Sequence, residues 1–572
     1  MFGLTQFSLL FLLLNGFLMH HLFGSQTGMT CLTEPFQTFD NGLERQTEHS
    51  PFQTIKIFRI AAAASGEFTA YHGGKEAALK EVLTALKRAS DIFEREAGVR
   101  LQPITNIADL IFIDSRTDPF SANDASMTTI HEAQDTFDAI VGNANYDLGI
   151  LFNTGLYGLA YIRSVCDPMT KGSAVIGLPN PSGDAFHVNF VIHEIAHQFG
   201  ANHTFNSPSG LCAERRNPWT AFEPGAGSTI MSYASVPCQP DHFQTGHDPY
   251  FHSESISEIR AFIKSPSASC AMTITSSNRI PTVQAGGEYF IPVGTPFELT
   301  AIASDPDGDP LTYCWEERDL GPAQMLSDPD NGQSPLFRSR PPSVNSTRVF
   351  PMLPLPSGEN RTLEDRLPTT DRTLRFRVTV RDNQNNGALA WADTRIFVTN
   401  VAGAFRVIVP TGTVQLEEVV PVQWEVAGTA GPPFNAGQVT ILLSTNSGLT
   451  FDYVLSAATA NDGYEIVRIP ALNSSAARIK VKPLGQVFFA INDSDLQISS
   501  AGYHLSVTEL DSGSFQLSWY GSAGQVSHLQ KRELPHGTWG TILSITNQVS
   551  TTNRVALDFD FSGKGYLYRI VQ

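Results

Sequence analysis

Residues 193–203 read His-Glu-Ile-Ala-His-Gln-Phe-Gly-Ala-Asn-His. His193 and His197 are four positions apart, so on an α-helix both imidazoles project from one face, one turn apart. Gly200 tolerates the left-handed conformation that ends a helix, and the chain can then turn back to present His203. Three histidine nitrogens with one open coordination position are typical of a catalytic zinc site. The stretch therefore predicts a helix and turn that together bind Zn²⁺.

Glu194 lies one step round the predicted helix from the two histidines, within reach of a water molecule bound to the same metal. A glutamate in that place accepts the proton of the attacking water and passes it to the leaving amine. The alternative is that these histidines are ordinary core or surface residues. The interleaved glutamate and glycine favour the metal site. So does the apolar helix face, which comprises Val191, Ile192, Ile195, Ala196 and Phe199.

A second informative stretch reads Gly-Ser-Thr-Ile-Met-Ser-Tyr at 227–233, a short interval after the zinc motif. Met231 is expected to lie in a tight turn beneath the metal, where its polarizable side chain packs. The hydroxyl of Tyr233 is a candidate ligand for the metal or for the developing oxyanion. A Met-x-Tyr sequence alone would indicate only core packing, so its position after the zinc motif carries the argument.

The bulk properties of the chain exclude several classes of partner. At 572 residues it is expected to form about three to five domains. The apolar fraction of 41 per cent is ordinary for a globular protein. A net charge of −18, with no strongly basic stretch, argues against nucleic acid and against docking on anionic membranes.

Two apolar runs, at 7–14 and 17–23, lie near the N-terminus. They are too short and too interrupted to span a bilayer, so a secretory signal peptide is predicted over 1–28. A short pro-segment or linker follows over 29–53. No Lys or Arg precedes Arg45, which is unusual for such a signal. Because no second apolar stretch of spanning length occurs, the mature protein is expected to be secreted, without a transmembrane segment.

The chain has six cysteines: Cys31, Cys166, Cys212, Cys238, Cys270 and Cys314. An even number in a secreted chain indicates disulfide bonds, although the sequence alone does not determine their connectivity. Cys212 and Cys238 bracket the segment after the zinc motif, which favours a bridge between them. Cys166 and Cys270 are candidates to tie the middle of the first domain to its last helix. Cys314 has no evident partner and fits a buried strand residue.

The periodicity of 54–272 alternates between strands and helices, which predicts an α/β domain with a mixed, mostly parallel sheet. The predicted strands lie at 54–61, 110–114 and 147–152, and the predicted helices at 75–96, 129–141, 186–199 and 253–264. After Cys270, short alternating strands recur between Gly, Pro, Asn and Asp clusters, which is typical of β-sandwiches. We place three such modules at 280–400, 403–499 and 502–572.

The zinc motif followed by the Met231 turn resembles the metzincin metallopeptidases. Four further segments are similar to the reprolysin-like branch, which includes the ADAM and snake-venom proteases, in its bacterial secreted form; they are 55–61, 148–153, 164–166 and 228–231. The resemblance covers 54 to about 272. It implies a zinc-dependent endopeptidase with a protein or peptide substrate.

The resemblance also implies roles for single residues. The ligands would be His193, His197 and His203, with Glu194 as the general base. Substrate would pair as an added strand along 149–153. Two features depart from the family. Tyr233 at this place is more like astacins and serralysins, and the segment before the first strand is shorter than a usual propeptide. Cys31 either caps the zinc as a thiolate or, as is more usual, is bridged or unpaired.

The first β-module contains the run Asp305-Pro-Asp-Gly-Asp309, with clustered carboxylates at Asp305, Asp307 and Asp309. The run resembles cadherin-like and polycystic-kidney-type repeats, which implies a Ca²⁺ site; the alternative is a plain turn between two strands. The module at 280–400 is therefore expected to be a cadherin-like or immunoglobulin-like sandwich, and the last module, at 502–572, resembles a fibronectin type III sandwich. These modules suggest an extracellular matrix or cell-surface target.

Two other functions remain open from the sequence. In the first, the chain is an adhesion or matrix-binding protein, because more than half of it lies outside the zinc domain. In the second, the zinc site belongs to a deacetylase or amidase, although nothing in the sequence suggests a sugar pocket.

Overall fold

The computed structural model describes residues 52–234, 238–353, 363–384, 388–415 and 417–499, together with the strands between 506 and 571. The predicted signal peptide, most of the pro-segment and Cys31 lie outside the described residues. The chain divides into two compact units. The first holds 1–404 with 427–435 and 486–488, and the second holds 405–426, 436–485 and 489–572.

The first unit begins with an α/β domain. Its strands are β1 Phe52–Ala64, β2 Val99–Pro103, β3 Leu148–Asn153, β4 Tyr157–Ala160, β5 Ala174–Gly177 and β6 Met272–Arg279. Its α-helices are α1 Gly66–Tyr71, α2 Lys75–Ala97, α3 Met127–Ile140, α4 Asp184–Phe186, α5 His193–Gln198, α6 Leu211–Arg215 and α7 Ser253–Lys264. Short 3₁₀ turns lie at Ile107–Leu110, Asn143–Asn145 and Pro266–Ala268, and a π-helical segment lies at His187–Ile192.

The six strands form one sheet in the order β2-β1-β3-β5-β4, with β6 also pairing β1. The β1–β2, β1–β3 and β3–β5 pairs are parallel, whereas β4 and β6 are antiparallel to their neighbours. The predicted mixed, mostly parallel sheet is therefore confirmed. The strand predicted at 110–114 is wrong: that segment follows a 3₁₀ turn and contributes only one bridge, between Ile111 and Ala64.

Local sequence explains the long helices that cover this sheet. In α2 the buried residues recur at helical spacing, as at Ala78, Val82 and Ala85, so one face packs on the sheet. Gly98 ends that helix in the left-handed conformation, with φ of 72°. The hydroxyl of Ser126 accepts a hydrogen bond from the Thr129 backbone N–H at 3.2 Å and caps α3.

The first β-region follows in the same compact unit. Its strands are β7 Thr282–Gln284, β8 Tyr289–Pro292, β9 Phe297–Thr300, β10 Ile302–Ser304, β11 Thr312–Glu317, β12 Thr347–Phe350, β13 Arg372–Arg381 and β14 Leu389–Thr399. They form a four-stranded sheet, β11-β13-β14-β8, and two two-stranded sheets, β10-β7 and β12-β9.

The second β-region has strands β15 Arg406–Val409, β16 Thr413–Gln415, β17 Val419–Glu425, β18 Gln438–Ser444, β19 Tyr453–Ala460, β20 Tyr464–Arg468, β21 Ser474–Pro483, β22 Ala490–Ile491 and β23 Leu496–Ser499. The third has β24 Ser506–Glu509, β25 Phe515–Gly521, β26 Val526–Glu533, β27 Gly540–Thr546, β28 Thr551–Leu557 and β29 Tyr566–Val571. The predicted change from an α/β domain to all-β structure is confirmed. The exact module boundaries stay predictions.

Two disulfide bonds tie the α/β domain, and they join the pairs that the sequence favoured. Cys166 is bonded to Cys270 and Cys212 to Cys238, with Cα–Cα separations of 5.7 and 5.5 Å. Cys314 is a free thiol buried in β11. Among the described helices, none has the length and apolar character needed to cross a membrane.

Candidate metal centre

A continuous helical segment carries the first two histidines of the motif. It runs through α4, the π-helical segment and α5, and its apolar face lies in the main core. Gly200 follows with φ of 94°, a conformation that L-residues with side chains rarely adopt. The backbone N–H of Gly200 donates to the carbonyl of His197 at 2.8 Å, which closes the helix end. The chain then turns back and brings His203 to the other two histidines.

The three imidazoles converge on one point. The three Nε2 atoms form a triangle. Nε2 of His197 lies 3.1 Å from Nε2 of His193 and 3.2 Å from Nε2 of His203, and the last two atoms are 3.3 Å apart. Nitrogen ligands about 2.0–2.1 Å from a tetrahedral ion are separated by roughly 3.3–3.4 Å. The three residues therefore form a group that can hold a metal ion, and the nitrogen triangle has the size that zinc requires.

Backbone carbonyls determine which nitrogen of each ring carries the proton. Nδ1 of His193 donates to the carbonyl of Ile230 at 2.7 Å, and Nδ1 of His197 donates to that of Ala201 at 2.7 Å. Nδ1 of His203 donates to the carbonyl of Arg215 at 2.8 Å. Every Nε2 therefore presents a lone pair to the centre of the triangle. Three converging lone pairs repel one another unless a cation lies between them.

Burial keeps all three rings neutral. Burial lowers the pKa of His193 to about 4. Burial, assisted by His193, lowers the pKa of His197 to about 3. The pKa of His203 is also held well below its usual value, mainly by burial. Neutral imidazole is the form that binds metal, so the site is prepared for a cation at any pH near neutrality.

Glu194 is buried beside this triangle. Its Oε2 has no hydrogen-bond partner, and burial raises the pKa of the carboxyl to about 8, with Arg215 opposing the shift. The carboxylate lies against β4, because a Cβ built at Gly158 would stand 2.6 Å from both Cγ and Cδ of Glu194. A neighbouring metal cation would favour the ionised carboxylate and lower this pKa.

A tight turn contains Met231, and Tyr233 follows it beside the histidines. The backbone N–H of Ser232 donates to the carbonyl of Thr229 at 2.9 Å, so a tight turn holds the fully buried Met231. The preceding carbonyl, of Ile230, is the one that orients His193. The Tyr233 ring packs edge-on against His203, with ring centroids 4.6 Å apart. The turn therefore supports two of the three histidines.

Residues 54–260 match the family model described as metallo-peptidase family M12B, reprolysin-like. This domain is a reprolysin-like metzincin. The match covers the whole segment from β1 into α7, including the histidine triangle and the Met231 turn. No curated protein matches the chain.

Several solved structures show a distant likeness to the chain. SGBP-B of the Bacteroides ovatus mixed-linkage glucan utilization locus, in complex with a mixed-linkage heptasaccharide, is 10% identical, with a TM-score of 0.17 over 48% of this chain. Drosophila N-cadherin EC1–4 is 12% identical, with a TM-score of 0.14 over 40%. The FN1–FN3 domains of chicken CNTN1 are 12% identical, with a TM-score of 0.13 over 51%. The chain spans 61%, 51% and 98% of these three chains. At these TM-scores, the likeness supports no conclusion about function.

The expected substrate strand is wrong. β3 is an interior strand that pairs β1 on one side and β5 on the other, so its backbone groups are already used. The free edge near the metallopeptidase site belongs to β4, which among the described strands pairs only β5. β4 also contains Gly158, the residue against which Glu194 lies. Among the described strands, β4 therefore provides the free edge of the sheet beside Glu194.

Glu223 is a site residue that the sequence analysis missed. Its buried carboxylate accepts hydrogen bonds from the side chain of Thr204 at 2.6 Å and from the backbone N–H groups of Ser228 and Thr229 at 2.8 and 3.1 Å. It thereby joins the residue after His203 to the approach to the Met231 turn. No sequence motif marks it, because the partners belong to separate loops.

A fourth histidine, His247, also packs on the metal ligands. Its ring stacks on that of His193 with centroids 6.1 Å apart, and its Nε2 donates to the carbonyl of Ser232 at 2.9 Å. Burial lowers the pKa of His247 to about 3, so it too stays neutral. Since it lies outside the spacing of the motif, only the three-dimensional packing reveals it.

Residues of the first β-region support the Met231 turn through hydrogen bonds. The hydroxyl of Tyr250 is 2.7 Å from Oγ of Ser339, and Ser339 in turn donates to the buried carboxylate of Glu316 on β11. The carbonyl of Tyr250 accepts from the backbone N–H of Ile230 at 3.2 Å. Arg338 also donates to Asp248 at 3.2 Å. The metal site therefore rests on residues from beyond the matched domain.

The predicted calcium loop differs from expectation in one ligand. Asp307 accepts hydrogen bonds from the backbone N–H and the Nε of Arg279, each at 2.7 Å, so it is already paired. The carboxylates that cluster are those of Asp305, Asp309 and Asp382. Asp382 comes from the end of β13, far along the sequence, so a loop motif could not include it. Calcium at this loop stays a prediction from the sequence.

Proposed function

We propose that the chain is a zinc-dependent endopeptidase that hydrolyses proteins outside the cell. The observation that carries the proposal is the Nε2 triangle, in which every Nδ1 is committed to a backbone carbonyl. This arrangement leaves three neutral donors for one small cation and leaves coordination positions for water and substrate. The ligands are His193, His197 and His203.

In this proposal zinc, when bound, polarises the substrate carbonyl and makes a water molecule acidic. Glu194 accepts the proton of the attacking water and delivers it to the nitrogen of the leaving amine. Its buried position excludes bulk water that would compete for the same proton. Tyr233, which packs on His203, would donate its hydroxyl to the oxyanion. Met231 forms the packed floor under the histidines.

The substrate would add to the sheet at β4. An extended peptide pairing with a free strand edge gains main-chain hydrogen bonds whatever its sequence. Leu156, just before β4, and Tyr157, its first residue, are 56% and 47% exposed and offer apolar contacts to the peptide. Because Gly158 borders Glu194, the peptide bond facing this residue lies beside the general base.

The two disulfide bonds support an extracellular location. Disulfides persist in oxidising compartments and are rare in the cytosol. We therefore retain secretion as part of the proposal. Mass spectrometry of the protein isolated from culture medium would show both bridges and the processed N-terminus.

Removing the metal is expected to abolish hydrolysis of casein and to lower the thermal unfolding midpoint. Without a cation, the three lone pairs face each other at 3.1–3.3 Å in a buried site. A chelator followed by dialysis gives the metal-free protein. Stoichiometric Zn²⁺ should then restore both activity and midpoint, whereas Mg²⁺, which prefers oxygen ligands, should restore neither. Hydrolysis that continues in the metal-free protein would contradict the proposal.

Gly158→Ala is expected to reduce kcat by about 10- to 100-fold while zinc stays bound. The added Cβ would overlap the Glu194 side chain, which must move, and a displacement of about 1 Å at a catalytic group costs rate on this scale. Zinc content by atomic absorption and kcat on a peptide substrate are the measurements. Gly287→Ala is the matched control, because a Cβ there meets nothing within 4 Å. An unchanged kcat in Gly158→Ala would show that Glu194 is not held against β4.

A further inference from the structure

A cavity of about 250 Å³ lies between α7 of the metallopeptidase domain and the β13–β14 sheet of the first β-region. The residues that matter for its chemistry are Arg260, Lys264, Arg377, Thr379, Leu389 and Trp391. None of the residues lining it is acidic. In a chain with a net charge of −18, a pocket lined by three basic side chains and no acid is unusual.

The strand register brings the pocket's donors to one face of the sheet. Thr379 of β13 lies directly opposite Trp391 of β14, and Arg377 lies opposite Asp393. Alternate residues of a strand project from the same face, so these side chains stand together facing α7. The guanidinium of Arg260 reaches this face from α7 and lies 5.8 Å from the centre of the Trp391 ring.

The charges at this face do not balance. Arg377 donates two hydrogen bonds to Asp393, at 2.7 and 2.8 Å, and is neutralised by it. Arg381 is neutralised by Glu96. Arg260 forms no ion pair or hydrogen bond with any residue that the structure describes, and burial lowers its pKa to about 10.

The acids of α7 are already engaged elsewhere. Glu254 accepts a hydrogen bond from Arg318 at 2.6 Å, and Glu258 accepts two from Asn202, at 2.8 and 2.6 Å. Neither carboxylate lines the pocket. Glu96 attracts the half-buried guanidinium of Arg260, but the same carboxylate already accepts hydrogen bonds from Arg381 and Arg95, so Arg260 shares one acid with two other cations.

Three buried donors at this pocket have no hydrogen-bond partner: Nε of Arg260, Oγ1 of Thr379 and Nε1 of Trp391. An unsatisfied buried donor costs roughly 1–3 kcal/mol, and more when it is charged. Thr379 is only 2% exposed, so bulk water does not reach it freely. Three such donors around one cavity favour an acceptor that carries negative charge.

We propose that this pocket binds a small carboxylate ligand, with Arg260 as the partner of the carboxylate. Guanidinium groups pair with carboxylates through two parallel hydrogen bonds, which suits a planar anion. Trp391, Leu389 and Ile256 would cover an apolar body attached to it. The cavity is smaller than a usual drug-sized pocket, which restricts the ligand to about the size of one ring.

Binding here would fasten the metallopeptidase domain to the first β-region, because the pocket has one wall from each. A ligand that binds only the folded protein raises the unfolding midpoint, and the rise grows with the logarithm of its concentration once this exceeds Kd. The site is independent of the metal centre, so its occupation is measured without peptide hydrolysis.

The test uses the full chain with benzoate as the probe, in calorimetric titration and in thermal unfolding at constant ionic strength. Benzoate is expected to bind saturably and to raise the midpoint. Arg260→Met should weaken binding at least about tenfold, since a hydrogen bond to a charged group is lost. Trp391→Phe keeps the ring but removes the Nε1 donor, and it should weaken binding by a smaller factor.

Lys87→Met is the matched control, because it removes one positive charge from a side chain that is 73% exposed on α2. It should leave the affinity for benzoate unchanged. Inorganic phosphate is the second arm. Saturable binding of phosphate without benzoate would overturn the assignment of a carboxylate with an apolar body. No saturable binding of either anion, or benzoate binding that survives Arg260→Met in a folded variant, would overturn the site itself.

Discussion

Glu194→Gln is expected to lower kcat for peptide hydrolysis by about 10²–10⁴-fold while zinc stays bound, which is the range that a general base contributes. The glutamine has the same shape and can occupy the same place against Gly158, so we expect the backbone to keep its position. It cannot accept a proton from water at any working pH. The metal ligands are unchanged, because the histidines are oriented by backbone carbonyls and not by Glu194.

The measurements are kcat on an internally quenched peptide and zinc content on the same sample. Glu214→Gln is the control: this residue is exposed on α6, close to the site in sequence, and the same chemical change there should leave kcat within about twofold. Activity that persists in Glu194→Gln with zinc bound would rule out Glu194 as the base. Loss of zinc from the variant would show instead that Glu194 supports the metal site structurally.

Arg381→Met is expected to destabilise the protein by about 3–5 kcal/mol, because it leaves a buried carboxylate without its main partner. Arg381 is 2% exposed and donates to Glu96 of α2, itself fully buried, at 2.5 and 3.0 Å. Burial alone would raise the pKa of Glu96, but the guanidinium groups of Arg381 and Arg95 outweigh that effect and lower it. The pair joins the first β-region to the metallopeptidase domain.

Chemical denaturation of the full chain, followed by tryptophan fluorescence, measures this loss. Glu96→Gln combined with Arg381→Met should recover part of it, because the carboxylate that lost Arg381 is then replaced by a neutral amide. Arg395→Met is the control: Arg395 and Glu288 are 31% and 48% exposed and only 3.7 Å apart, so about 0–1 kcal/mol is expected. If Arg381→Met costs no more than this control, the ion pair does not hold the two parts together.

The same pair gives a pH dependence with a definite sign. The folded protein holds the pKa of Glu96 below its unfolded value, so ionised Glu96 stabilises the fold above about pH 4.3. That contribution is lost as the pH falls through the lower, folded pKa. The difference in the free energy of unfolding between the natural protein and Arg381→Met should therefore be largest near neutral pH and should become smaller in acid.

The metallopeptidase domain is held by contacts with the region that follows it. The Met231 turn rests on Tyr250, which contacts Ser339 and, through it, Glu316 of β11. The matched family segment ends at residue 260, before all of these supports from the first β-region. A fragment that ends near residue 272 would lose them and would leave Glu96 without Arg381. The contacts that hold the histidine cluster and Glu96 in place therefore extend beyond the family match.

Local features of the chain could be predicted from the sequence. The helix that carries His193 and His197, its end at Gly200 and the turn around Met231 all depend on contacts within a few residues. The fold class and the reprolysin-like family are confirmed for this reason. The roles of the single site residues remain predictions until the variants are measured.

Other features of the site depend on contacts between distant segments. The expected substrate strand was wrong because β4 was not among the predicted strands, and only strand pairing shows which strand ends the sheet. Glu223 was missed because its carboxylate gathers donors from two loops. Asp307 was wrongly included in a cation cluster because Arg279, its partner, lies 28 residues earlier.

The sequence by itself determined the kind of metal site, because residue type and helical spacing alone place two imidazoles on one face with a glycine turn behind them. Only the tertiary structure decided how that site is held. The carbonyls of Ile230 and Arg215 select the tautomers, burial keeps the rings neutral, and β4 provides the open edge. The physical reason is that hydrogen bonding and desolvation act between neighbours in space, which the chain brings together only after it has folded.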